Sequence, residues 1–176
     1  MPLLKRALLP LAAAALGIVA APALANDTFV AELSGAASVP DPVKTPATGE
    51  IKFELVDQGN SLAYTVTVKD LQNPHDVDVH LGQPGSNGPL VLKLFPQGKD
   101  RPKLGPVSGV IAQGKFQYDA LMGPLNQASL GEFVQELRDG NVYANVHTND
   151  GSDPPNSGPG DYRLGEIRGQ FKEVQR

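Results

Sequence analysis

In the segment Glu50-Ile51-Lys52-Phe53-Glu54-Leu55, charged and apolar residues alternate one for one. Only an extended chain with one buried face turns a period of two into a continuous apolar surface. Leu62 to Val68, LAYTVTV, repeats the alternation with residues suited to a pleated sheet. Between them, Asp57-Gln58-Gly59-Asn60 has the composition and length of a hairpin turn, so residues 50–68 are predicted to form a β-hairpin. Further strands are predicted at 28–34, 77–81, 89–95, 107–111, 142–148 and 166–171. About eight short strands with Gly and Pro at their junctions specify an all-β chain, an antiparallel sandwich or barrel.

One segment departs from that period. In SLGEFVQELR, Ser129 to Arg138, the apolar residues Leu130, Phe133, Val134 and Leu137 fall on one face of a helix. Ser129 and Glu132 have capping-box spacing, Arg138 complements the helix dipole, and Gly140 can close the C-terminus. The expectation is one short helix that plugs the sheet between two strands.

At the N-terminus, Lys5 and Arg6 precede an alanine-rich apolar run that Pro10 and Pro22 interrupt and that ends in Ala23-Leu24-Ala25. This is the pattern of a secretory signal peptide over residues 1–25, with cleavage after Ala25, and not that of a bilayer span. The remainder, residues 26–176, is about 150 residues, the size of one domain with its own core. No second apolar run follows, so the mature chain is expected to lack a membrane span and to be periplasmic or secreted. Without Lys5 and Arg6, the basic side chains fall from 15 to 13 against 19 acidic ones, a net charge of −6. That sign is a poor match for nucleic acid. The chain contains no cysteine, which removes disulfides, thiolate metal ligands and thiol catalysis together.

Two long irregular stretches are expected. Residues 95–106 carry Lys99, Arg101 and Lys103 among prolines, a composition read as a solvated basic loop. Residues 148–163 contain Asp150, Asp153 and Asp161, oxygen donors of the type calcium takes, but their spacing is not that of an EF-hand. Gly, Pro, Asn and Asp are also the ordinary residues of any long surface loop.

The segment DVDVH, Asp76 to His80, carries the chemistry. Alternation sends Val77 and Val79 to one face and Asp76, Asp78 and His80 to the other. In Val142 to Thr148, the same rule places Tyr143, Asn145 and His147 opposite the apolar side. Both histidines therefore leave the core. If the two strands are neighbours, Asp78, His80 and His147 converge as two imidazoles and a carboxylate, a set suited to zinc or copper(II). Glu166 is the nearest candidate for a fourth metal ligand, and His75 is a second candidate. The competing reading is a polar cluster in which Asp78 only orients an imidazole and Glu166 pairs with Arg168.

Five blocks in order, FVAELSGAASVP (29–40), TPATGEIKFEL (45–55), VDVHLGQPGSNGPLVLKLF (77–95), GNVYANVHT (140–148) and GEIRGQ (165–170), resemble the chordin-like or CHRD domain. The resemblance implies a β-sandwich or barrel, immunoglobulin-like or superoxide-dismutase-like, in an exported protein. Two departures stand out. The family commonly has His-x-His where this chain has Asp78-Val79-His80, and it joins its His-Thr to Gly-Glu-Ile-Arg-Gly by a shorter connection. A His-x-His pair before a Gly/Asn loop is also similar to the copper strand of copper-zinc superoxide dismutase. Three histidines, His75, His80 and His147, are too few for a bridged copper–zinc pair, so dismutation of that kind is not expected.

No Gly-x-Ser-x-Gly elbow and no phosphate-binding glycine loop is present, and the chain is not expected to be an enzyme. The expected function is an exported binding module for a protein or envelope component. The alternative is an envelope metal-binding protein that holds copper or zinc through His80 and His147.

Overall fold

The computed structural model describes residues 27–95 and 105–174. The proposed signal peptide and most of the basic loop lie outside the described residues. Eight strands form a single antiparallel curled sheet: β1 (Thr28–Ser34), β2 (Thr48–Val56), β3 (Ser61–Gln72), β4 (Pro74–Leu81), β5 (Leu90–Lys93), β6 (Pro106–Phe116), β7 (Val142–Thr148) and β8 (Ile167–Glu173). Their spatial order is β5-β4-β7-β8-β1-β2-β3-β6. Among the described residues, no helix is long and apolar enough to cross a membrane.

The period-two segments become strands because one parity is buried in each. Phe29, Ala31 and Leu33 of β1 face the same interior as Ile51 and Phe53 of β2, and as Val77 and Val79 of β4. Val142, Ala144 and Val146 of β7 and Ile167 and Phe171 of β8 complete it. The predicted hairpin is present, with β2 and β3 paired from Thr48↔Lys69 to Val56↔Ser61. β6 extends to Phe116, beyond the predicted 107–111. It is an edge strand whose residues are mostly exposed, so no apolar alternation marks its second half.

The helix α1 (Leu130–Arg138) has the predicted bounds, with both halves of the capping box formed between Ser129 and Glu132. Leu130, Phe133, Val134 and Leu137 are its buried residues. Phe133 enters an aromatic cluster centred on Phe53, which stacks on Phe171 at 4.6 Å and meets Phe116 edge-on at 5.6 Å. α1 thus inserts its apolar face into the concave side of the sheet. β3, the neighbour of the β6 edge, approaches the β5 edge where the Tyr64 hydroxyl donates to the Leu94 carbonyl just after β5, at 3.2 Å.

Phe53 touches three aromatic rings and is fully buried. Its replacement by alanine is expected to cost about 3–5 kcal/mol in urea unfolding, the usual loss for a buried phenylalanine. A loss below about 1 kcal/mol, typical of a surface site, would contradict this core.

Candidate metal centre

β4 and β7 are hydrogen-bonded neighbours, with Asp76 opposite His147, Asp78 opposite Asn145 and His80 opposite Tyr143. His80 and His147 therefore do not face each other directly; they flank the Asp78–Asn145 pair from either side. One ligand atom from each of Asp78, His80 and His147 nonetheless lies within 4.8 Å of the other two. Among the described residues, this is the one group of three or more such side chains that converges. The Asp78 and His147 side chains are only 13% and 16% exposed.

A backbone carbonyl aims each ring. The Nδ1–H of His80 donates to the Gly88 carbonyl at 2.9 Å, and the Nδ1–H of His147 donates to the Arg163 carbonyl at 2.9 Å. A carbonyl only accepts, so Nδ1 carries the proton in both rings and, in the neutral imidazole, Nε2 carries the lone pair. Both Nε2 atoms are buried without a hydrogen-bond partner; that of His147 stands 3.5 Å from Asp78 Oδ2. A histidine that ligates a metal through one nitrogen typically donates its other N–H in this way.

The loops that carry these carbonyls need glycine at two points. A Cβ on Gly88 would lie 1.7 Å from the Leu81 carbonyl oxygen, so only glycine lets the loop after β4 fold back to His80. At Gly165, φ is +117° and a Cβ would lie 2.2 Å from the Asn145 amide. That close approach lets Asn145 donate to the Leu164 carbonyl at 3.0 Å.

Burial lowers the pKa of His80, opposed by its bond to Gly88 and by Asp78, and assisted by His147 and Arg168. His80 is thus neutral at neutral pH, the state a metal ligand requires. Its ring stacks on Tyr143, centroids 5.0 Å apart, and the Tyr143 hydroxyl accepts from the Gly88 amide at 3.0 Å. Lys93 of β5 binds the other Asp78 oxygen, Oδ1, at 3.0 Å and leaves Oδ2 directed at His147.

Two candidates fall elsewhere. Glu166 is fully buried, and its carboxylate accepts from the Thr45 hydroxyl, the Thr148 hydroxyl at 2.7 Å and the Gly160 amide at 2.8 Å. The chain bends at Glu166 immediately before β8, which breaks the strict alternation assumed for it. It is a pillar for the long loop and neither a member of the ligand group nor a partner of Arg168. His75 sits at a register shift between β4 and β7 and pairs through Nδ1 with Asp76, away from the group. The other Asp76 oxygen, Oδ1, is buried without a partner.

The aspartates of the long loop are engaged by protein donors, and Asp153 and Asp161 share Arg163. Asp150 accepts from the Ser152 amide, Asp161 from the Ser157 amide and hydroxyl, and Asp153 pairs with Arg163. They form no converging donor group among the described residues, and the calcium reading has no geometric basis.

Sequence reasoning missed Lys93, Tyr143 and the two carbonyls. Lys93 has a signal, because it stands opposite Asp78 in the β4–β5 register. The carbonyls have none, since any residue could supply them.

Residues 29–154 match the family model of the CHRD domain, well over half of the 176 residues. The chain belongs to the CHRD family. The match runs from β1 into the loop after β7, so it contains Asp78, His80 and His147 but not the GEIRGQ block. That block lies beyond it, yet β8 completes the sheet between β7 and β1. No curated protein matches the chain.

The pillar role of Glu166 is testable in this CHRD domain. Glu166→Gln removes one accepting oxygen from a buried three-donor site and is expected to lower stability by about 1–3 kcal/mol. Urea unfolding reads the change, and an unaltered midpoint would contradict the role.

Proposed function

We propose that this CHRD domain is an exported metal-binding protein that holds one zinc or copper(II) ion through His80, His147 and Asp78. The observation that carries the reading is the pair of buried, unpartnered Nε2 atoms, each in a ring whose Nδ1–H is committed to a carbonyl. A buried polar atom without a hydrogen-bond partner is costly, and two of them in rings that converge with Asp78 are accounted for by a cation among them. Two imidazoles and a carboxylate, with no thiolate, suit zinc or copper(II) better than copper(I). Three protein ligands leave room for a further ligand on the ion.

A second reading, binding of a protein or envelope component, is supported by β6. It is an edge strand with Val110 55% exposed, a surface of the kind that pairs with an extended segment. That reading uses β6, whereas the metal ligands lie on β4 and β7, and it is compatible with a metal.

Metal analysis of untagged protein is expected to find one equivalent of zinc or copper(II) after loading and desalting. His80→Ala and His147→Ala are expected to abolish retention, and Asp78→Asn to weaken affinity by at least about tenfold. Protein that retains no metal, with no thermal shift on metal addition, would exclude the reading.

A further inference from the structure

Arg168 of β8 is only 3% exposed, and none of its partners is negatively charged. One terminal nitrogen donates to Asn87 Oδ1 at 3.2 Å and the other to the Ser86 carbonyl at 2.6 Å. The guanidinium lies 3.7 Å over the Tyr143 ring. Among the described residues no carboxylate is within ion-pair distance of it, and Glu166, two residues away, is committed elsewhere. Burial lowers its pKa from the ordinary arginine value, but a guanidinium stays charged throughout the physiological range. A buried cation without a counter-charge is costly.

The same arginine borders a cavity of about 330 Å³ between the 3₁₀ turn after β1, Gly35–Ala37, and the loop after β4. Ala36, Ala37, Val39 and Pro84 supply apolar walls, and Gln170 lies beside Arg168. We propose that this cavity binds a small organic monocarboxylate, with its head group on Arg168 and its short apolar body against Ala37, Val39 and Pro84.

Three features favour that chemistry. A guanidinium has five N–H donors, and the two protein oxygens leave donors in the planar fork that matches a carboxylate. One cation lines the cavity, which balances a monoanion and not a phosphate dianion. The walls are small and apolar, and the volume is at the lower end for small-molecule sites, about 300–1,000 Å³. The site is separate from the metal centre. β7 lies between β4 and β8, and its Tyr143 stands between His80 and Arg168.

The test uses metal-free protein in the presence of a chelator, so that it is independent of the metal reading. Butanoate, its neutral isostere butanamide and inorganic phosphate are titrated and followed by ¹⁵N NMR. Butanoate is expected to give saturable shifts at residues 36–39, residues 84–88 and the Arg168 Nε–H; butanamide is expected to give none and phosphate to bind more weakly. Arg168→Gln is expected to abolish butanoate binding. Ala37→Phe, which keeps the arginine but fills the cavity, is expected to weaken it by at least about tenfold, equivalent to about 1.4 kcal/mol, and serves if the first variant does not fold. Absence of saturable butanoate binding, shifts confined to other regions, equal binding of butanamide or phosphate, or full affinity in Ala37→Phe would each overturn the proposal.

Discussion

Val77 and Val79 of β4 lie opposite Val146 and Ala144 of β7, and all four are buried. That apolar pairing holds the two strands in one register. Because side chains alternate faces, a slip of β4 by one residue would drive Asp78 and His80 into the core and bring its valines out, and a slip of β7 would do the same to His147. Burying polar side chains without partners is far more costly than a surface rearrangement. The core therefore determines which polar groups meet on the other face, although it touches none of them.

The outer face of these strands is itself largely dry. Loops fold back over it: the segment after β4 brings the Gly88 carbonyl to His80, and the long loop before β8 brings the Arg163 carbonyl to His147. The second loop is in turn held by Glu166, through Thr148 and the Gly160 amide. Tyr143 is covered by His80 and by Arg168. Enclosure strengthens electrostatic interactions. It also lowers the pKa of His80 and keeps that ring neutral. An exposed pair of histidines would have water for a partner. These two have their Nδ1 protons assigned and their Nε2 atoms without a hydrogen-bond partner, that of His147 beside the Asp78 carboxylate.

Much of this was legible in the residues. The alternation in 50–55 and 62–68, the helical spacing of Leu130, Phe133, Val134 and Leu137, and the family blocks all report local rules that the fold obeys. Strand parity placed His80 and His147 outside the core, because the β4–β7 pairing runs unbroken from Asp76↔His147 to Leu81↔Val142. It misplaced Glu166, because the chain bends there and alternation no longer applies. β6 was only half visible, since an edge strand with most residues exposed carries little apolar pattern. The orienting carbonyls were invisible in principle: their position depends on how two loops close, and the backbone bears no residue-specific mark. The uncompensated charge of Arg168 was hidden for a related reason, since Glu166 is near it in sequence but turns to a different set of donors.

The central claim is that both imidazoles keep a proton on Nδ1, which in the neutral ring leaves the Nε2 electron pair free for a metal. Long-range ¹H–¹⁵N correlation spectra of the metal-free protein at neutral pH measure this directly. The structure predicts that His80 and His147 both show the Nδ1–H tautomer, and that one equivalent of zinc shifts both Nε2 resonances while the Nδ1 protons remain. An Nε2–H tautomer at either position, or imidazole signals that zinc leaves unchanged, would contradict it.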